Sequence, residues 1–170
     1  AQRDVPCLLF QDRYNLFDRE PDTSGILTLN AEAGAGFVAF SPLAQGLLTD
    51  RYLNGIPEGS RMATEGSLRR DVLTDAMLAR IRGLDDLARQ RGQTLAEMAL
   101  AWLLHQKAVT SVIIGAKRVE QLDDNIAATG IRLSEDELKQ LDAVSALPRE
   151  YPGWMLERQG EYRRNQLAQQ

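Results

Sequence analysis

Cysteine occurs once in this chain, at Cys7. No intrachain disulfide can form, which excludes a secreted scaffold stapled by bridges. No run approaches the roughly eighteen consecutive apolar residues of a membrane-spanning helix. The first residues, Ala1, Gln2, Arg3 and Asp4, lack the basic start and apolar core of a secretory signal. A reducing cytoplasm is the expected compartment. No initiator methionine precedes the first strand-like run, so the chain reads as a piece of a longer protein or as a processed product. Basic residues form no stripe, and the net charge is −4 with a pI near 5.1. That argues against nucleic-acid binding, which needs lysine and arginine to neutralise phosphates. It leaves room for a local basic pocket holding one small phosphorylated ligand. Internal repeats and low-complexity segments are also lacking.

What is present is one domain's worth of alternating elements. The 170 residues are 44% hydrophobic, enough for one globular core. Cys7, Leu8, Leu9 and Phe10 form a continuous apolar run, the pattern of a strand buried on both faces. Residues 36–40 form a second, stopped by Pro42, which has no N–H for a ladder. Residues 110–115, β-branched and apolar, form a third. Between the first two, residues 24–33 read as a helix closed by Gly34 and Gly36. Residues 49–73 carry Gly55, Pro57, Gly59 and Gly66 among polar side chains, with no apolar period, as in a lid or a disordered connection.

Residues 74–91 form the clearest helix. Met77, Ile81, Leu84 and Ala88 share one face, Thr74 is the N-cap and Gly92 the stop. Thr94 and Glu97 make a capping box for a helix with Leu95, Met98, Trp102 and His105 on one side. Val119, Leu122 and Ile126 stripe a helix ending before Gly130. Ser134 and Glu137 open a last helix carrying Leu138, Leu141 and Val144, which Pro148 ends. Short strands alternating with amphipathic helices predict an α/β fold of βα units around a parallel sheet. Three strands are only part of such a sheet, and the outer two would each present an unpaired edge.

The run Phe40-Ser41-Pro42-Leu43-Ala44-Gln45-Gly46-Leu47-Leu48 resembles the aldo-keto reductase family. So does Val112-Ile113-Ile114-Gly115-Ala116, continued by Glu120-Gln121-Leu122-Asp123-Asp124-Asn125. The likeness is to the branch that includes bacterial glyceraldehyde 3-phosphate reductases and potassium channel β-subunits. Gln11 and Tyr14-Asn15-Leu16 fit the same branch. The resemblance implies a partial (β/α)8 TIM barrel, made of the last three βα units and the C-terminal helix over residues 1–148. Residues 149–170 would be a tail. It implies an oxidoreductase that binds NADP and reduces aldehydes or ketones by hydride transfer.

It also implies roles for individual residues, each beside an ordinary structural reading. Gln11 would hold the nicotinamide carboxamide through its amide, or simply cap a strand end. Phe40 would stack on the nicotinamide, or be a core residue. Ser41, Pro42 and the backbone of Leu43, Ala44 and Gln45 would lie against the pyrophosphate, since a tight loop after a strand points N–H groups at an anion. Arg61, more than Arg51, would close over the cofactor from the long loop. Gly115 would let backbone approach the ligand. Lys117, with Arg118, would meet the 2′-phosphate at a helix N-terminus, where cations are otherwise disfavoured. Gln121, Asp124 and Asn125 share a helix face and would hold the ribose and adenine, or be a solvated polar face. Tyr151, Pro152, Gly153, Trp154 and Met155 would wall the substrate pocket or pack outside the barrel.

The family's proton donor is a tyrosine tuned by a lysine, an aspartate and a histidine, all from the first four βα units. No position here matches any of them, so no catalytic residue is assigned. His105 reads as a packed helix histidine, and Tyr14 is not the acid. The chain would be inactive alone, completed by a missing N-terminal half or a second chain. A non-catalytic nucleotide-sensing module, as in channel β-subunits, is the alternative.

Overall fold

The computed structural model describes residues 6–64 and 68–146. In chain order these hold β1 (Leu9–Arg13), α1 (Glu20–Thr23), α2 (Ile26–Glu32), β2 (Gly36–Phe40), α3 (Asp75–Gln90), α4 (Leu95–Leu104), β3 (Val109–Val112), α5 (Val119–Ala127) and α6 (Glu135–Ser145). The strands form one parallel sheet in the order β1-β2-β3. Leu9 pairs with Gly36 and Arg13 with Phe40. Between β2 and β3 the register shifts at Phe37 and Val38, and Thr110 Oγ1 accepts the Phe37 N–H at 3.2 Å. That side chain supplies the rung the bulge disrupts.

The two faces of the sheet differ. Phe37 and Ala39 are fully buried, with Phe10, Val109 and Val112 packed on the same side. The opposite face carries Leu9, Gln11 and Arg13 exposed, and Gly36, Val38 and Phe40 half-buried. The expectation that the first strand is buried on both faces is therefore corrected. Leu8 and Leu9 are 71% and 63% exposed, because nothing among the described residues covers that face. The strand is also displaced from residues 7–10 to Leu9–Arg13, since its ladder with β2 runs to Arg13. β3 ends at Val112, short of the expected residue 115, although the Ile113 N–H still reaches the Ala39 carbonyl at 2.8 Å.

The expected helix over 24–33 is α2, trimmed to Ile26–Glu32, and the short α1 precedes it. Gly25, at φ 81°, separates α1 from α2. Gly66 lies outside the described residues, and the described part of 49–73 is less open than its composition suggests. The segment folds into one-turn 3-10 helices at Asp50–Tyr52 and Arg70–Val72, and Tyr52, Met62 and Leu68 are buried in the core. Thr74 caps α3 by accepting the Met77 N–H, and both capping boxes, Thr94 with Glu97 and Ser134 with Glu137, are formed. α4 is buried on nearly all sides, from Leu95 to Leu103. α5 breaks the amphipathic expectation: Val119, Leu122 and Ile126 are 70%, 42% and 56% exposed, while Asn125 is buried. α6 ends at Ser145, ahead of the expected stop. Pro148, the boundary at 148–149 and the aromatic tail at 151–155 lie outside the described residues.

Two ties hold α6 against α3. A Cβ at Gly83 would lie 2.9 Å from Val144 Cγ1, so the absent side chain lets the helices approach. Arg91, just past α3, pairs with Glu137 and donates to the Arg132 carbonyl at 2.9 Å. The Ser134 N–H, the Arg91 guanidinium and the Ser134 hydroxyl hold the Glu137 carboxyl at about 2, below its ordinary 4.5. A depressed carboxylate stabilises the fold above its unfolded pKa and stops doing so as pH falls through the folded one. Glu137→Gln should therefore lower stability at neutral pH. Its deficit against the wild type should shrink as pH falls from 4.5 towards 2. Urea melts across that range check this; a pH-independent deficit would contradict it.

Candidate functional site

Parallel pairing brings the C-terminal ends of all three strands to one end of the sheet, and some of the predicted residues lie there or on the open face. β2 leads directly into a strained turn. Ser41, Ala44 and Gln45 have φ of 52°, 46° and 58°. Left-handed backbone is rare for residues with a Cβ and costs about 1–2 kcal/mol each; such strain gathers at ligand clamps. The turn is closed internally: Ala44 N–H donates to the Ser41 carbonyl at 3.0 Å and Gly46 N–H to Leu43 at 2.8 Å. The Ala44 N–H, expected to face an anion, is thus engaged within the turn. Pro42 is buried beneath it.

Beyond this turn, Thr49 Oγ1 donates to the Gly46 carbonyl at 2.7 Å and accepts the Arg51 N–H at 3.2 Å. This ties the position of Arg51 to the strained turn. Arg51 lines an open cavity of about 360 Å³ with Lys117, Arg118 and Gln121, closed on another side by the turn from Pro57 to Ser60. Three cations meet one carboxylate there, Glu58. The N-terminus of α5 opens at Arg118, whose side chain makes no capping bond. The first N–H groups of a helix have no partner in the helix itself, so cations and unsatisfied donors converge. Gln121 Oε1 accepts the Lys117 N–H at 2.9 Å, fixing the approach to the helix. The arrangement suits a phosphate monoester: charge, donors and open volume coincide.

The remaining predicted residues are placed unevenly. Gln11 lies in mid-strand opposite Val38 rather than at the strand end, but it shares the open face with Phe40. Gly115 is exposed, three positions beyond β3, and a Cβ there would meet no atom within 4 Å. Neither packing nor backbone requires a glycine at 115. Arg61 is exposed and outside the cavity wall, and Arg51 holds the place expected of it. Asp124 is exposed and Asn125 buried, and neither lines the cavity. Local signals predict a turn at Arg51 but not which arginine of the long loop lines the cavity. Thr49 is an N-cap two residues before it, and Tyr52 beside it is apolar enough to anchor a turn.

The two residues set aside as proton donors are both structural. Tyr14 is buried, meets Phe37 edge-on and donates its hydroxyl to Asp22. Burial, then the Asp22 bond, pushes its phenol well above the usual range. His105 holds the end of α4, with Nδ1 2.7 Å from the Ala101 carbonyl and Nε2 accepting the Leu133 N–H at 3.1 Å.

Residues 1–146 match the Aldo/keto reductase family. The chain is 50% identical over 143 residues to L-glyceraldehyde 3-phosphate reductase of Escherichia coli K12, covering 81% of this chain and 41% of that protein. It is 39% identical over 124 residues to a probable voltage-gated potassium channel subunit beta of Arabidopsis thaliana, covering 71% and 38%. The crystal structure of a thermostable aldo-keto reductase with the inhibitor epalrestat matches at a TM-score of 0.57 and 31% identity, over 80% of this chain and 39% of that one. The chain spans about two-fifths of the length of these relatives. With most of its length matched by the family, this chain belongs to the aldo/keto reductases.

Proposed function

We propose that this chain is the NADP-binding portion of an aldo-keto reductase-like oxidoreductase that reduces aldehydes or ketones, and that the proton donor lies outside these residues. The observation that carries the reading is the cavity where Arg51, Lys117 and Arg118 meet the uncapped N-terminus of α5. A 2′-phosphate there would take charge-assisted hydrogen bonds that NAD cannot offer. From that end the dinucleotide would run past the Ser41 turn to the open sheet face, with Gln11 at the carboxamide and Phe40 on the ring. Bound so, the nicotinamide supplies the hydride; the chain's own residues bind and orient it. Tyr14 cannot supply the proton from its place in the core.

Partial-barrel architecture fits the uncovered surface. Leu8 and Leu9 at one edge, and Ile113, Ile114, Val119, Leu122 and Ile126 at the other, are exposed. Further βα units, in the same polypeptide or a second chain, would bury them and pair the free edges. A nucleotide-sensing role is the second reading. The likeness to a channel subunit favours it, and it needs the same cavity but no acid.

Three outcomes follow. Replacing Lys117 and Arg118 together by Ala should weaken NADPH binding by at least about tenfold and leave NADH nearly unchanged. Fluorescence titration reads this, and equal losses would mean these residues do not read the 2′-phosphate. Gly115→Val should melt within about 0.5 kcal/mol of the wild type, because nothing packs on that position, yet bind NADPH more weakly. Unchanged binding would free Gly115 of any ligand role. Finally, the purified chain should not reduce small aldehydes with NADPH. General-acid catalysis supplies about 10²–10⁴-fold, and turnover by this chain alone would refute placing the acid elsewhere.

A further inference from the structure

We propose that Asn15 is the positioning residue that sets the Ser41 turn for the dinucleotide; this rests on the cofactor reading above. Asn15 is 2% exposed, beyond the end of β1. The β1–β2 pairing continues as the Tyr14 N–H reaches the Phe40 carbonyl at 3.4 Å. Regular pairing then stops, because Ser41 turns to φ 52°. At that point the Asn15 side-chain amide donates to the Ser41 carbonyl at 3.0 Å. The side chain adds one rung to the ladder where the backbone no longer can, and it grips the first strained residue of the turn.

Asn15 is itself immobilised. Its Oδ1 accepts the Phe17 N–H at 2.9 Å and the Asp18 N–H at 3.0 Å. Backbone bonds between Asn15 and Asp18, at 3.2 and 3.1 Å, close the same tight turn. The neighbouring Tyr14 hydroxyl is fixed on Asp22, which also pairs with Arg19. Arg19 donates in turn to Asp142 of α6 at 2.8 Å and lies over the Trp102 ring at 4.4 Å. A donor held from so many directions loses little entropy when it binds Ser41. Asparagine suits the place because it joins an acceptor and a donor on one short stem. Aspartate would keep the acceptor and lose the donor.

Asn15→Asp removes the donor, and exchange over α3 and α4 separates that loss from the general cost of a buried carboxylate. Two readouts apply: amide hydrogen exchange along the chain, and binding of NADPH and of adenosine 2′-monophosphate. The latter reaches only the α5 end of the site. The expected result is faster exchange over residues 41–46 with α3 and α4 unchanged. NADPH affinity should fall about three- to tenfold, and affinity for adenosine 2′-monophosphate should stay the same. Equal losses for both ligands would mark Asn15 as merely structural, and unchanged exchange over 41–46 would overturn its grip on the turn. NADPH uptake equal in wild type and variant overturns this proposal alone. No uptake of either ligand by the wild-type chain overturns the cofactor reading and this proposal with it.

Discussion

Parallel strands cannot be joined by a tight hairpin. Each connection must travel back along the sheet, and in this chain the connections are helices and a long folded loop. The consequence is directional. All three strands point the same way, so the turn after β2 and the segment leading to α5 emerge at one end of the sheet. The cavity that gathers Arg51, Lys117 and Arg118 exists because of that shared polarity, although Arg51 and Lys117 are far apart in sequence. An antiparallel arrangement of the same strands would send neighbouring strand ends to opposite sides.

Local signals were the most legible part of the sequence. Thr74, the two capping boxes and the Gly92 stop act within a few residues, through bonds that any context permits. Strand boundaries depended on partners. Gln11 appeared to end its strand because the apolar run stops at Phe10, yet the ladder with β2 carries Gln11, Asp12 and Arg13 further. Pairing outweighs composition there, since each rung satisfies backbone groups whatever the side chain. Within the site, the Ser41-Pro42-Leu43 run and Lys117 could be read as motifs. The choice of Arg51 over Arg61 could not, because it depends on how the long loop folds around Tyr52 and Met62. Nor do the left-handed angles at Ser41, Ala44 and Gln45 announce themselves, since none of the three is glycine.

α5 shows the opposite failure, in which a sound pattern has nothing to bury against. Its apolar stripe is regular, but Val119, Leu122 and Ile126 face away from the core. The helix packs against α4 with Asn125 buried instead, and Ala128 is buried just past its end. Apolar surface left open in this way is the kind that interaction faces use. Ile113 and Ile114, just beyond β3, are exposed as well, and the outer edge of β3 has no strand partner among the described residues.

A strained turn at a binding site is useful only if the scaffold beneath it does not yield. The strain here is met from several sides. Pro42 is buried below the turn, Thr49 holds Gly46 from downstream, and Asn15 holds Ser41 from the neighbouring strand. Behind Asn15, the Tyr14, Asp22, Arg19 and Asp142 side chains run to α6 across the face of Trp102. These ionic contacts are only partly exposed, and their value is geometric more than energetic, since half-solvated ion pairs add little net stability. What they fix is Tyr14, the residue before the donor that ends the β1–β2 ladder. A ligand binding the outer surface of a turn held in this way would find its conformational cost already met in folding, so binding would not have to supply that ordering again.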